Sequence, residues 1–232
     1  MKKTSGHEFS RRQLLHAGLT ATAAFLTGGF DLAFPSQACA QSALTPSAAL
    51  NEMMQGNKRF TSGRLIAHDQ DLAILKQHTE EKQEPFAAVL SCADSRVPVE
   101  LVFDQSIGHI FVTRVAGNVI TPEIIGSLEY GAAVLGTKVI LVMGHSNCGA
   151  VKAAMQGKEV PGQISSLFPH IQPAVDQGGN DLASATKGNA QVQARLLRES
   201  STVISGMVKS GSVKVTSGYY DLGTGSVTLL ED

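Results

Sequence analysis

A thiol, a carboxylate and a guanidinium follow one another at every second position after an apolar run of strand length. The run is Phe86–Leu90, and the polar side chains are Cys92, Asp94 and Arg96. A buried strand that ends in such groups places them at the carboxyl end of a sheet, which is where open α/β sheets bind ligands. The stretch therefore predicts one side of a functional site.

A second apolar run, Lys138–Met143, is followed by His145 and Cys148, which stand three positions apart. Together with Cys92 these residues offer two thiolates and one imidazole. Catalytic zinc sites use three protein ligands of this kind and leave the fourth position open. Thiolate and imidazole also favour zinc over magnesium or calcium, which prefer oxygen ligands. We therefore expect one zinc ion per subunit, held by Cys92, His145 and Cys148.

The carboxylate and the guanidinium have a separate role in this interpretation. Zinc with two thiolates and a neutral imidazole has no formal charge, and a bound hydroxide makes the centre anionic. Arg96 would hold Asp94 ionised and away from the metal through a forked, charge-assisted pair. Asp94 would then accept the hydrogen bond of the zinc-bound water and aim its lone pair at an electrophile. If Asp94 bound the zinc itself, the site would be closed.

Simpler interpretations of the same residues are open at this point. Two cysteines in an oxidising compartment normally form a disulfide, so a Cys92–Cys148 bridge competes with the metal site. Each cysteine could also be a buried thiol, and Asp94 with Arg96 could be a surface ion pair. The metal interpretation is favoured because all of these residues follow an apolar strand.

The first forty residues differ in kind from the rest of the chain. Arg11 and Arg12 precede a modestly apolar stretch, and a small-x-small cleavage pattern ends at Ala40. The pattern resembles a twin-arginine signal and predicts that residues 1–40 are removed when the folded protein is exported, to the periplasm or otherwise out of the cytoplasm. Polar residues and glycines interrupt the apolar stretch, which weakens the alternative of a membrane anchor. One of the three cysteines would leave with the signal.

Composition limits the class of protein. The chain has 232 residues, 43% of them hydrophobic and 17% charged, with a formal net charge of −1. These values suit one globular domain with a sizeable core, which we expect to span residues 41–232. A chain without a basic excess and with few aromatic residues is not typical of a nucleic-acid-binding protein. We expect neither a nucleic-acid partner nor a permanent membrane anchor.

Strands that alternate with helices predict an α/β fold with a mainly parallel β-sheet flanked by helices. The expected strands are 86–91, 110–115, 139–143, 213–219 and 226–230, and the expected helices are 47–60, 71–82, 98–103, 122–135, 147–155, 164–175 and 190–208. The segment 178–187 is expected to be a loop. The first helix could pack on a partner subunit as an arm or on its own domain, and the sequence leaves both open.

The two polar stretches resemble the signature pair of β-class carbonic anhydrases. Cys92-Ala-Asp-Ser-Arg-Val97 and Gly144-His-Ser-Asn-Cys-Gly149 carry this resemblance, which runs from about residue 48 to residue 230. It implies the β-carbonic anhydrase fold and zinc on the two cysteines and the histidine. It also implies that Asp94 and Arg96 form an orienting dyad. The implied reaction is the reversible hydration of carbon dioxide to bicarbonate and a proton.

Members of this family with a permanently open site surround carbon dioxide with a glutamine, apolar side chains and a tyrosine. By position these correspond to Gln83, Phe111 and Tyr130, with the tyrosine supplied by the partner subunit of a dimer. Ala116 stands where a valine is familiar, so the pocket could be slightly wider. The bicarbonate-inhibited branch has a tryptophan where this chain has Val89, and the chain contains no tryptophan. The resemblance therefore favours the open type, as a homodimer that could pair into a tetramer.

Two other functions are open on the sequence alone. Hydrolysis of another linear molecule, such as carbon disulfide or carbonyl sulfide, would suit a wider pocket at Ala116. A non-catalytic zinc-binding module is the second, although the Asp94–Arg96 dyad and Gln83 would have no purpose in it. A catalysed hydration must also release a proton. His109 is a candidate carrier, but a histidine at a strand end more often has a structural role.

Overall fold

The computed structural model describes residues 42–67 and 82–231, so the predicted signal and nearly all of the predicted helix 71–82 lie outside the described residues. Within them the chain forms five strands, seven α-helices and three short irregular helical turns. The strands are β1 (Ala87–Ser91), β2 (Ile110–Arg114), β3 (Val139–His145), β4 (Lys214–Tyr220) and β5 (Val227–Leu230). The helices are α1 (Pro46–Thr61), α2 (Val99–Val102), α3 (Pro122–Glu129), α4 (Gly149–Gln156), α5 (Phe168–Gly178), α6 (Leu182–Ser200) and α7 (Thr202–Lys209).

The five strands of the described residues make one sheet in the order β2-β1-β3-β4-β5. β1 runs parallel to both β2 and β3, and β3 runs parallel to β4. β5 alone is antiparallel, paired with β4 across a tight turn. The prediction of a mainly parallel sheet flanked by helices is confirmed. Because β1 and β3 are parallel neighbours, their carboxyl ends meet at the same edge of the sheet.

Both faces of the central strands are buried, which explains their nearly continuous apolar runs. On β1, Ala87 and Val89 pack into one core with α1 and α2. Ala88 and Leu90 point to the opposite face, as the two-residue period of a strand requires. They pack there against residues of α3, α6 and α7. The sheet is therefore held between two helical layers.

Helix α1 begins where the sequence supplies a cap and ends one residue beyond its predicted end. The Thr45 hydroxyl accepts a hydrogen bond from the Ala48 amide at 3.2 Å, and proline stands in the first turn. Ala49 and Met53 are fully buried against the sheet of the same chain. Packing on its own domain is thus observed, and contact of this helix with a partner subunit stays a prediction.

The predicted loop 178–187 is wrong in its second half. Helix α6 begins at Leu182, because the Asp181 carboxylate caps it by accepting a hydrogen bond from the Ser184 amide at 2.8 Å. A close approach of two helices fixes the turn before it. A Cβ on Gly178 would lie 2.6 Å from backbone atoms of Ala185, so only glycine fits there.

The single helix predicted over 190–208 is two helices. α6 ends at Ser200, and Ser201 has an extended backbone with φ −104° and ψ 111°. Its hydroxyl accepts the Ile204 amide at 3.0 Å to cap α7 and donates to Glu129 at 2.6 Å. The amphipathic period continues across this break, which is why periodicity alone joined the two helices.

Smaller differences concern the ends of elements. The predicted helix 122–135 changes to a π-helical turn at Tyr130–Val134, and 164–175 opens with a 3₁₀ turn at Gly162–Leu167 before α5. The third strand runs two residues beyond its predicted end and includes His145. No helix of the described residues is long and apolar enough to cross a membrane.

Candidate metal centre

The sheet brings the three predicted metal ligands together. Cys92 follows the last residue of β1, His145 is the last residue of β3, and Cys148 directly precedes α4. Their ligand atoms lie within 4.8 Å of one another, and all three residues are buried. A zinc ion with ligands at about 2.0–2.3 Å spans a group of this size.

The two cysteines are free thiols, so the structure contains no disulfide between them. A hydrogen bond from the Cys148 thiol lowers the pKa of Cys92, although burial opposes it, and the Gly117 amide adds to the lowering. The same hydrogen bond, together with burial and the charge of the Cys92 thiolate, raises the pKa of Cys148. One thiolate therefore forms readily, and a bound cation would favour loss of the second proton.

The imidazole of His145 is oriented as a metal ligand. Its Nδ1 lies 2.9 Å from the carbonyl oxygen of Ser146. A carbonyl oxygen can only accept, so Nδ1 carries the proton and Nε2 carries the free lone pair. Nε2 is buried and has no hydrogen-bond partner among the described residues. A buried acceptor without a partner is costly, and a metal ion held with the two sulfurs would satisfy it.

Asp94 and Arg96 form a forked pair beside this group. Arg96 donates from Nε to Oδ1 at 2.9 Å and from Nη2 to Oδ2 at 2.8 Å, and its backbone amide also donates to Oδ1. The Arg96 hydrogen bond holds the pKa of the Asp94 carboxyl well below its usual range. Oδ2 lies 3.8 Å from Nε2 of His145. The carboxylate thus borders the ligand group while its oxygens are engaged by the guanidinium.

Arg114, which the sequence analysis did not single out, fastens the turn between Cys92 and Asp94. It ends β2 opposite Ser91. Its Nε donates to the Cys92 carbonyl at 3.0 Å, and its Nη2 donates to the Asp94 carbonyl. A charged residue that ends an apolar strand was the available signal. The sequence does not show the order of the strands, and only that order places β2 beside β1.

Gly117 supplies a second contact that the sequence analysis missed. Its amide donates to Sγ of Cys92 at 3.3 Å, from a 3₁₀ turn that directly follows β2. The backbone there has φ +74°, and a Cβ would lie 2.8 Å from Cδ1 of Ile171. Glycine at this position therefore allows the backbone to approach the sulfur.

Comparison with known proteins decides the family. The sequence model described as carbonic anhydrase matches residues 87–227. The chain belongs to the carbonic anhydrase family. It is 33% identical over 192 residues to carbonic anhydrase 2 of Mycobacterium tuberculosis, which covers 79% of this chain and 92% of that protein. It is 35% identical over 193 residues to the carbonic anhydrase of Mycolicibacterium smegmatis, with 79% and 93% covered.

Solved structures place the chain in the β-carbonic anhydrase fold. The Coccomyxa β-carbonic anhydrase in complex with acetazolamide is 24% identical with a TM-score of 0.61, over 78% of this chain and 86% of that one. A tetrameric β-carbonic anhydrase of Sordaria macrospora is 17% identical with a TM-score of 0.63, over 95% and 98%. The predicted β-carbonic anhydrase fold is therefore confirmed.

The predicted pocket residues are not all near the metal ligands of their own chain. Ala116 is half-buried and directly precedes Gly117, whose amide contacts Sγ of Cys92. The rings of Phe111 and Tyr130 contact each other, with centroids 6.4 Å apart. Phe111 pairs with Ala88, however, which is four strand residues or about 13 Å before the first ligand. The ring pair therefore lies away from the metal ligands of its own chain.

Two further side chains lie away from the ligand group along the chain. Gln83 is exposed and precedes β1. His109 stands before β2 and packs its ring on Phe86 with centroids 6.3 Å apart. Phe86 is six residues, or about 20 Å of extended chain, before Cys92. His109 therefore has the structural position of a strand-end histidine rather than that of a proton carrier for its own site.

Proposed function

We propose that this protein is a zinc enzyme that catalyses the reversible hydration of carbon dioxide to bicarbonate and a proton. The observation that carries the proposal is the group of two thiols and one imidazole, within 4.8 Å of one another, beside a carboxylate held by a guanidinium. A protein that only binds a metal ion would not require the pair of Asp94 and Arg96. The relatives named carbonic anhydrase support the same reaction.

Cys92, His145 and Cys148 would hold the zinc ion, one per subunit. Two soft sulfurs and a nitrogen lone pair without a partner are the donor set that zinc prefers. When bound, zinc supplies a Lewis acid that promotes the ionisation of water near neutral pH. The buried position of all three ligands limits solvent access to that side of the ion.

Asp94 orients the nucleophile in this proposal. Because Arg96 keeps it ionised, the carboxylate can only accept hydrogen bonds. It therefore accepts a hydrogen bond from the O–H group of the attacking oxygen, so a lone pair of that oxygen faces carbon dioxide. The fork to Arg96 also keeps the carboxylate from rotating onto the ligand group. The site would stay open, as the absence of tryptophan at position 89 suggested.

We also propose a homodimer in which each subunit completes the other's pocket. Tyr130 contacts Phe111 of the edge strand β2 and is 47% exposed, and Val134 of the same helical turn is 52% exposed. Exposed apolar side chains beside a sheet edge favour burial by a partner. Phe111 contacts Tyr130, so the two rings would reach the partner's carbon dioxide together. Gln83 is assigned to the same pocket from the resemblance, and two such dimers could pair into a tetramer.

Export to the periplasm by the twin-arginine pathway is a further part of the proposal. The paired arginines and the cleavage pattern at Ala40 support it. A protein exported after folding could take up its metal first, which would protect Cys92 and Cys148 from oxidation.

Stopped-flow measurement of carbon dioxide hydration, with zinc content determined on the same sample, tests the function. We expect turnover that follows zinc content and disappears in the metal-free protein. Zinc binding without hydration would show a binding module instead. Hydrolysis of carbon disulfide or carbonyl sulfide without hydration would show the second enzyme class, and either result would overturn the proposal.

A further inference from the structure

Two buried amide side chains of α6 lie behind the first metal ligand. Asn189 and Gln193 are four residues apart and therefore on the same face of the helix, and each is fully buried. Nε2 of Gln193 donates to Oδ1 of Asn189 at 3.1 Å. Burying two primary amides is costly unless their groups are hydrogen-bonded, so their remaining partners indicate their role.

Those partners are backbone groups of the segment that follows β2. Nδ2 of Asn189 donates to the carbonyl of Gly117 at 2.8 Å. Oε1 of Gln193 accepts the amide of Ile120 at 2.8 Å, and its Nε2 also donates to the carbonyl of His170 on α5 at 2.8 Å. The amide pair therefore holds both ends of the segment 117–120 against α6. Through the His170 carbonyl it also links α5 to α6.

The first residue of the segment 117–120 contacts a metal ligand. The Gly117 amide donates to Sγ of Cys92 at 3.3 Å, and the fully buried Ile171 side chain packs against the Cα of this glycine. Gly117 is thus constrained at its carbonyl by Asn189, at its Cα by Ile171 and at its amide by the sulfur. Loss of the first constraint would let the amide turn away from the sulfur.

We propose that Asn189, braced by Gln193, is a positioning residue that holds the Gly117 amide on the sulfur of Cys92. In the metal-loaded protein this hydrogen bond holds the sulfur in position for the metal, and it also withdraws charge from the thiolate. The inference rests on the proposed function only in requiring a metal ion at this group. Neither Asn189 nor Gln193 touches the reacting atoms.

The test compares Asn189→Leu and Gln193→Met with Asn57→Leu as a matched control. Asn57 is also a buried asparagine, but it lies on α1 in the opposite core layer. It makes three hydrogen bonds of its own, to the carbonyls of Val102 and Gly225 and from the amide of Val227. The control thus removes a buried amide of the same type without changing the metal centre.

Cobalt(II) added to the metal-free proteins gives two measurements, the dissociation constant by competition and the energy of the sulfur-to-cobalt charge-transfer band. Groups that orient metal ligands typically contribute 10- to 100-fold to metal affinity. We expect Asn189→Leu to weaken cobalt binding about tenfold or more, because the sulfur of Cys92 is no longer held in position for the metal. The band should move to longer wavelength, because a thiolate without this hydrogen bond is easier to oxidise. Gln193→Met should change both in the same direction by less. Asn57→Leu should lower thermal stability alone.

Equal affinity and an unshifted band in both α6 variants, relative to Asn57→Leu, would overturn the inference while leaving the proposed function intact. Gln193→Met decides the question if Asn189→Leu does not fold. Failure of the unmodified protein to bind cobalt would overturn the proposed function, and the inference with it.

Discussion

Replacement of Asp94 by asparagine tests the catalytic part of the proposal, because it changes one atom and leaves the metal ligands in place. The asparagine oxygen can occupy the Oδ1 position and accept from the amide and Nε of Arg96, both at 2.9 Å. Its NH₂ group then takes the position of Oδ2. There it faces Nη2 of Arg96, a donor that lies 2.8 Å from Oδ2 in the unmodified protein. The variant loses the acceptor that borders the metal group and gains a donor there.

The size of the effect follows from that exchange. Removing one hydrogen-bonding group that acts on the reacting oxygen typically costs 10²- to 10³-fold in turnover, or roughly 3–4 kcal/mol. We expect Asp94→Asn to lower the kcat/KM for carbon dioxide hydration by about this factor, with zinc still bound at one ion per subunit. The assay is stopped-flow hydration, with metal analysis of the same sample.

Asp181→Asn is the matched control for this experiment. Asp181 is an exposed cap of α6, and asparagine caps helices about equally well. The control should keep full turnover and full zinc. If Asp94→Asn also kept full turnover, the orienting role of the carboxylate would be refuted. If it lost zinc, Asp94 would be a metal ligand, and the open site would be refuted instead.

Three further predictions concern residues outside the ligand group. Gly117→Ala should lower the free energy of unfolding by about 1–3 kcal/mol in urea titrations, because φ is +74° and a Cβ would lie 2.8 Å from Ile171; an unchanged urea midpoint would contradict this. Burial raises the pKa of the Asp104 carboxyl, but Arg59 and two backbone amides outweigh it and lower that pKa overall. The stability from this carboxylate should therefore be complete above about pH 4 and fall as the pH drops through the lower folded pKa, and Asp104→Asn should flatten that acid limb. Arg114→Met removes two hydrogen bonds to the turn before Asp94 and should lower turnover about tenfold at unchanged zinc content, which stopped-flow assays can check.

Much of the centre could be predicted because its ligands stand next to strand ends. A strand end is visible in sequence as the last residue of an apolar run, and Cys92 and His145 each come within two residues of one. Residue type then limits the metal. The spacing of Asp94 and Arg96 likewise needs only local geometry, since both side chains belong to one turn.

The supporting groups could not be predicted because they depend on which strands and helices are neighbours. Arg114 reaches the turn only because β2 lies beside β1. Asn189 and Gln193 are polar residues on an amphipathic helix, and only packing against the segment after β2 buries them. The sequence also did not show that Phe111 and Tyr130 contact each other in one chain.

The errors in helix boundaries have a similar origin. Periodicity continues through Ser201, so it could not show that this serine caps a new helix. The start of α6 at Leu182 was visible as Asp181 three residues before Ser184, a cap pattern that the glycine-rich context obscured. In both cases a side-chain hydrogen bond to a backbone amide decided the boundary, and hydrophobic pattern did not.

A crystal structure of the purified protein, with anomalous scattering measured at the zinc edge, tests the central claim most directly. The account predicts one anomalous peak per subunit, bonded to Sγ of Cys92, Nε2 of His145 and Sγ of Cys148, with Asp94 still forked to Arg96. A Cys92–Cys148 disulfide, no anomalous peak, or Asp94 bound to the zinc as its fourth ligand would contradict it.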